Sequence, residues 1–243
     1  MTSVRQEDTG ITTRPIPIRV LLVDDHILVR KGIAHLMRSQ PDLEVVGESS
    51  NGVDALEKAR EFAPDVILMD VKMHGGDGME TTRKIKEELP GVQIIALTVS
   101  EDEEDLFQAI KSGAQGYLLK NLEPEQLFSA IRNSVKGEAA LSPVMATKML
   151  HQFSRHGAAP AQPVLSQLTG REKEVLRFVA LGASNGDISA RLRLSESTVT
   201  NHMHNILKKL HLQSRVQAAL YAIDQGILRR GTETHNLVEE VSR

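Results

Sequence analysis

The chain has 243 residues, 40% of them hydrophobic and 25% charged, enough for one large globular domain or two smaller ones. It has no cysteine, which excludes disulfides, thiolate zinc sites and cysteine nucleophiles together. The net charge of −3 conceals an asymmetry: residues 18–140 carry 14 Lys/Arg against 22 Asp/Glu, and residues 164–230 carry 10 against 5. An acidic half suits metal or phosphoryl chemistry and a basic half suits nucleic acid, although two solvated domains of unequal pI would give the same numbers.

Residues 1–17 are polar, lack the apolar core of a signal peptide, and read as a disordered extension. No apolar run approaches the roughly 18 residues of a membrane span. Together with the missing cysteines, this fits a cytoplasmic protein. From residue 18 the pattern alternates. Short apolar strands are expected at 19–25, 43–49, 65–70, 92–100 and 116–120. Amphipathic helices are expected at 27–39, 52–62, 79–89, 103–113 and 124–137. Five strand–helix units in one acidic domain, 18–140, predict a parallel sheet with helices on both faces. Ser100 and Glu103 have capping-box spacing ahead of the fourth helix. Residues 141–167 read as a linker; their second part, "HQFSRHGAAPAQPVLSQ", is rich in Ala, Pro and Gln and has no acidic residue. Residues 168–228 carry helical patterns only, and 229–243 form a tail.

The stretch "DVILMDVKMHGGDG", 65–78, ends an apolar strand on Asp70. Alone it reads equally as a polar turn, a metal site with His74 as ligand, or the seat of a reaction at Asp70. The other strand ends decide. In an open parallel sheet, ligands bind at the carboxyl ends of the strands. Asp24 and Asp25 end the first strand, Asp70 the third, Thr98 the fourth and Lys120 the fifth. Clustered carboxylates favour a hard divalent cation, in the first place Mg²⁺. Lys120 adds a positive charge for phosphoryl oxygens, Thr98 a hydroxyl donor, and Asp70 is the candidate nucleophile, since carboxylates form acyl phosphates. Asp77 is expected to cap the following helix.

"VLLVDDH", "DVILMDVKM…DG", "IIALT" and "GYLLK" together resemble the receiver domain of two-component response regulators. The resemblance implies a flavodoxin-like (βα)5 fold in which a sensor histidine kinase phosphorylates Asp70. It implies Mg²⁺ held by Asp25, Asp70 and the backbone carbonyl of Lys72, with Asp24 acting through water. Thr98 and Tyr117 would be the switch pair, Tyr117 packing inward on phosphorylation. The family usually has proline where His74 stands and often methionine where Gly76 stands. The loop after Asp70 is therefore expected to be freer.

In the basic domain, Thr169 with Glu172 marks a capping box before Val175, Leu176 and Val179, and Gly182 ends that helix. Ser184 to Asp187 opens a second short helix, and Ser195 caps a third. On the third, Val199, Met203, Ile206, Leu207 and Leu210 follow a 3.6-residue period, and Thr200, Asn201, His204 and Lys208 take the opposite face. A fourth helix is expected from Ala218 to Ile227. Two short helices, the second with a polar outer face and basic end, suggest a helix-turn-helix, although a plain four-helix bundle has the same pattern. "LTGREKEVL", "SNGDISARL", "STVTNHMHNILKKL" and "SRVQAAL" resemble the LuxR-type output domain, so the whole chain resembles the NarL/FixJ family. That implies a transcription regulator that binds double-stranded DNA as a homodimer, with dimer contacts partly from the last helix. The DNA-facing candidates are Ser184, Asn185, Ser197, Thr198, Thr200, Asn201, His204, Lys208 and Lys209. Asn201 and His204 are the base readers, and Lys208 and Lys209 the phosphate contacts. The family often carries lysine where Thr200 and Gly186 stand, so the electrostatic part of binding is expected to be weaker. The "HMH" at 202–204 is a poor metal site, because residues two apart on a helix point about 200° apart.

Three functions remain in play. The first is a phosphorylation-switched DNA-binding regulator that is not an enzyme beyond slow self-dephosphorylation. The second is a regulator that binds DNA without phosphorylation. The third is an Mg²⁺-dependent aspartyl phosphohydrolase. Against the third, such phosphatases repeat an aspartate two residues after the nucleophile, where this chain has Lys72, and no second acid or base follows nearby in sequence.

Overall fold

The computed structural model describes residues 16–73, 76–141 and 167–227. The expectations for the N-terminal extension up to residue 15, for His74, for linker residues 142–166 and for the tail fall outside them.

The first unit is a sheet of strands β1 (Ile18–Val23), β2 (Leu43–Ser49), β3 (Val66–Asp70), β6 (Gln93–Thr98), β7 (Gly116–Leu119) and β8 (Ala140–Leu141). They lie in the order β2-β1-β3-β6-β7-β8, every pairing parallel. The first five are the expected strands; β8 was not anticipated. It can approach because Gly116 has no side chain: a β-carbon there would press on Ala140. Helices α1 (Ile27–Met37), α2 (Gly52–Phe62), α3 (Gly78–Glu88), α4 (Glu103–Lys111) and α5 (Pro124–Val135) cover both faces. Strands such as "VILMD" are buried at every position because both faces are covered, which is why they are apolar throughout instead of alternating. One core layer joins Val20, Leu22, Leu68 and Ile95 to Leu127 and Ile131 of α5. The opposite layer joins Leu21, Ile67 and Met69 to Ala55, Ala59 and Ile85 of α2 and α3.

One local expectation needs correction. Asp102, not Ser100, is the N-cap of α4, accepting from the Glu104 amide at 3.0 Å, while Ser100 Oγ accepts from the Asp102 amide. After Asp70, β4 (Lys72–Met73) pairs antiparallel with β5 (Gly76–Asp77); the expectation for the loop around His74 lies outside the described residues. α3 starts directly after β5, so Asp77 has the sequence position of a cap, but its side chain is outside the described set.

The second unit has four helices: α6 (Gly170–Ala180), α7 (Asn185–Leu192), α8 (Glu196–Leu210) and α9 (Arg215–Asp224). Thr169 with Glu172, and Ser184 with Asp187, form reciprocal capping boxes. Ser195 caps α8, and Gly182 takes the positive φ of +79° beyond α6. α9 begins at Arg215, three residues before the expected Ala218, because Ser214 caps it by accepting from the Gln217 amide. Val175, Leu176, Val179, Ile188, Val199, Met203, Ile206 and Leu210 form the core, as their spacing anticipated.

The two units touch. Val216 and Leu220 of α9 pack into one cluster with Leu106, Ala109 and Ile110 of α4 and with Tyr117. Gln217 Nε2 donates to the Ile110 carbonyl at 2.9 Å. Asn185 Nδ2 donates to the Lys136 carbonyl at 2.9 Å, and Asn185 Oδ1 accepts from buried Arg215 at 2.7 Å.

Gly78 opens α3 against the end of β3, and a β-carbon there would collide with the Asp70 carbonyl. Gly91 has nothing within 4 Å. Gly78→Ala should therefore destabilise the protein by about 2 kcal/mol in urea unfolding, and Gly91→Ala by far less; equal midpoints would remove the steric argument.

Candidate functional site

The parallel topology brings Asp24, Asp25, Asp70, Thr98 and Lys120 to one edge of the sheet. β1 and β3 are neighbours, and the chain leaves β1 for β2 on one side and reaches β3 on the other. Asp24 and Asp25 follow β1, Asp70 ends β3, Thr98 ends β6, and Lys120 follows β7. Asp24 and Asp70 are nearly fully buried. The Lys120 ammonium bridges them, 2.8 Å from Asp24 Oδ2 and 2.8 Å from Asp70 Oδ2. The other Asp70 oxygen accepts from the Lys72 amide at 3.2 Å. Arg30 donates to the Asp24 carbonyl and to Glu48, which ties the β1–α1 turn to β2.

Burial raises the Asp70 carboxyl above the usual carboxylate range; the hydrogen bond and charge of Lys120 oppose this, and Asp24 adds to it. Burial works against the Lys120 charge, but the hydrogen bonds it donates to Asp24 and Asp70 outweigh it and hold the ammonium above its ordinary value. The three carboxylates and His26 each offer one ligand atom, all within 4.8 Å of one another. Three carboxylates face one ammonium, so the cluster has surplus negative charge that a hard divalent cation would neutralise. The residues therefore fit Mg²⁺.

Thr98 Oγ1 accepts from the Ser100 amide at 3.0 Å, and Tyr117 Oη donates to the Ser100 carbonyl at 3.1 Å. The Tyr117 side chain is fully buried, and burial pushes its hydroxyl up to about 12, with a hydrogen bond to Thr98 opposing. Tyr117 is thus inward already, with α9 packed beside it. The inward position does not by itself free the second unit.

Two features of the edge escaped the sequence. The Lys72 side chain turns away from Asp70 and pairs with Asp105 of α4 at 2.7 Å. His26 Nδ1 lies 2.7 Å from Asp25 Oδ1 and 3.8 Å from Asp70 Oδ2. The only signal for His26 was its place directly after the acidic pair.

On α8, Thr200, Asn201, His204 and Lys208 are exposed, as the helical period required. The remaining candidates are otherwise engaged. Asn185 is buried against the first unit and also donates to Thr200 Oγ1. Lys209 pairs with buried Glu172, its ammonium 2.9 and 2.7 Å from the two carboxylate oxygens. Ser184 is spent on its cap with Asp187. Ser197 and Thr198 share the Ser195 hydroxyl, each at 2.8 Å.

A doubly wound sheet with a carboxylate–lysine edge, joined to a helix-turn-helix unit, defines a receiver coupled to a DNA-binding output domain. Residues 20–132 match the response regulator receiver domain, and residues 166–222 match the bacterial regulatory proteins of the luxR family. The chain is 41% identical to the nitrate/nitrite response regulator protein NarL of Escherichia coli K12 over 211 residues, 87% of this chain and 97% of that one. It is 44% identical to the transcriptional regulatory protein LiaR of Bacillus subtilis over 205 residues, 84% and 96% of the two chains. A crystal structure of a LuxR-family two-component response regulator from Aurantimonas sp. SI85-9A1 matches with a TM-score of 0.53 at 32% identity. The match covers 56% of this chain and 97% of that one. The chain belongs to the NarL-like, LuxR-type family of two-component response regulators, and it regulates transcription. Among the described residues, no helix is long and apolar enough to cross a membrane.

The different states of the two adjacent lysines give a contrast. Lys208→Ala should weaken binding to every DNA sequence and reduce the salt slope by about one. Lys209→Ala should leave the slope unchanged and cost about 1 kcal/mol of stability, since it strands the Glu172 carboxylate. Equal salt slopes for wild type and Lys208→Ala would sink the assignment.

Proposed function

We propose that the chain accepts a phosphoryl group on Asp70 from a sensor histidine kinase, and that this switches its binding to double-stranded DNA. The observation that carries the reading is the Lys120 bridge between buried Asp70 and Asp24 at the sheet edge. An Asp70 oxygen attacks phosphorus, the phosphorus–nitrogen bond of the phosphohistidine breaks, and its electron pair stays with the imidazole, which takes a proton. Asp25, Asp70 and the Lys72 carbonyl would hold Mg²⁺, with Asp24 through water; when bound, the ion screens the phosphoryl oxygens from the carboxylates. Lys120 exchanges its Asp70 contact for a phosphoryl oxygen. Thr98 turns its hydroxyl to another, which gives up its bond from the Ser100 amide.

That change pulls on the segment between β6 and α4, and α4 holds α9 through Leu106, Ala109 and Ile110. Loosening α4 releases α9 and the buried Asn185, which frees α8 for the major groove and α9 for a homodimer. Asn201 and His204 then read bases, and Lys208 contacts phosphate. On this reading the protein is a phosphoryl acceptor and not a turnover enzyme, and it acts in the cytoplasm.

Asp70→Asn should abolish labelling by radioactive acetyl phosphate in Mg²⁺. An acid-stable, alkali-labile label that persists on the variant would place the nucleophile elsewhere. Ala109→Glu puts a charge into the α4–α9 contact from the receiver side and leaves the output core intact. It should raise the DNA affinity of unphosphorylated protein about tenfold, read by fluorescence anisotropy; an unchanged affinity would show that the contact does not restrain the output domain.

A further inference from the structure

A cavity of about 340 Å³ lies where the two units meet. The turn between α5 and β8 forms its receiver wall through Glu138 and Ala139, and the end of α6 and one face of α9 form its output wall. Most of the lining is apolar, including Val179, Leu220 and Ile223. Two groups of opposite charge complete it. Arg215 is almost fully buried, and its guanidinium donates to two neutral acceptors, Asn185 Oδ1 at 2.7 Å and the Ala183 carbonyl at 2.5 Å. Burial works against that charge, and Glu138 is the carboxylate that favours it. Among the described residues, Glu138 accepts one hydrogen bond, from the Asn185 amide at 3.4 Å. Asn185 therefore stands between the two charges and pairs fully with neither. The helix ends agree with this polarity. α9 begins at Arg215, and the amino end of a helix favours an anion; α6 ends at Ala180, and a carboxyl end favours a cation.

We infer that this cavity binds a free α-amino acid with a large apolar side chain, its carboxylate on Arg215, its ammonium on Glu138 and its side chain against Val179, Leu220 and Ile223. A cavity of this size at a domain boundary, apolar with a few convergent polar groups, has the make-up of a small-molecule site. An anion alone would meet Glu138, and a cation alone would meet Arg215. Only a ligand with both charges gains at each end. Taking a zwitterion out of water is costly unless both charges are paired, so a site that pairs both rejects analogues that lack one. Glu138 and Arg215 belong to different units, so the ligand is held only while the units are closed. Its binding and the opening of the units oppose each other, and the opposition is reciprocal. The amino acid is thus an effector that keeps the regulator off DNA. That last consequence rests on the proposed restraint of the output domain by the receiver; the site itself does not.

The test uses the full unphosphorylated chain in calorimetric titrations with L-leucine, L-methionine and L-phenylalanine. At least one should bind. The tightest should lose about tenfold or more as its amide, which lacks the carboxylate, and as its des-amino acid, which lacks the ammonium. Arg215 also supports the output fold, so the protein variant is placed on the receiver wall. Glu138→Gln should weaken the amino acid about tenfold and leave the des-amino acid within about twofold. Binding of none of the three amino acids would overturn the inference, as would equal affinity for an amino acid and its des-amino acid. Fluorescence anisotropy separates the site from its consequence: the saturating amino acid should lower the DNA affinity of the unphosphorylated protein about fivefold. If the amino acid binds as inferred and DNA affinity is unchanged, the site stands and the proposed restraint of the output domain fails.

Discussion

One ammonium holds the receiver edge together. Asp24 and Asp70 come from neighbouring strands, both carboxylates are buried, and Lys120 stands 2.8 Å from each. Without it, two desolvated like charges would repel at the ends of two neighbouring strands, and one would have to take up a proton. On the proposed reading, an arriving phosphoryl group would draw the same ammonium in a second direction. It sits directly after β7, the strand that carries Tyr117, so whatever moves Lys120 acts on the residue packed beside α4 and α9. Charge balance at the edge and contact between the two units therefore share a strand.

Around that edge the protein distributes its other charges by role. Lys72 contributes its amide to Asp70 and its ammonium to Asp105, so the β4 strand after Asp70 is fastened to α4. Lys86 is buried on α3 and spends its donors on the Pro90 and Val92 carbonyls, where burial pulls it down to about 8. Lys209 neutralises Glu172 beneath the output helices. Exposed positive charge on α8 is consequently smaller than the count of basic residues implies, which sharpens the dependence of DNA affinity on Lys208.

Much of this was legible in the sequence because it is periodic or strictly local. The five long strands are continuous apolar runs, the helices carry a 3.6-residue stripe, and all four output helices start at Ser/Thr caps, Thr169, Ser184 and Ser195 being legible as such. The acid–lysine edge was legible because parallel strands share their carboxyl ends. The misses have a common cause, which is dependence on a partner distant in sequence. β8 is two residues long, and only Gly116, 24 positions earlier, makes room for it. The polarity of Asn185 and Lys209 marks them as DNA-facing candidates, and nothing local signals the contacts they make with Lys136 and Glu172. The α9 start was missed although Ser214 and Gln217 carry the spacing, because the apolar residues that follow drew the boundary inward. His26 lacked any periodic context; its importance appears only once Asp70 is brought beside it.

β8 also changes how the output domain is tethered. Its pairing of Ala140 with Gly116 and Leu141 with Tyr117 moves the anchor of the linker from the end of α5 to the edge of β7. Only residues 142–166 then separate an anchor on the β7 edge from Gln167, at the start of the output unit. The effective concentration of one unit at the other falls steeply with tether length, roughly as its −3/2 power. An anchor this near its target lets a few apolar side chains and two interdomain carbonyl bonds keep the halves closed. On the proposed reading, a contact that relies on its tether would yield to a change as small as a turn of Thr98.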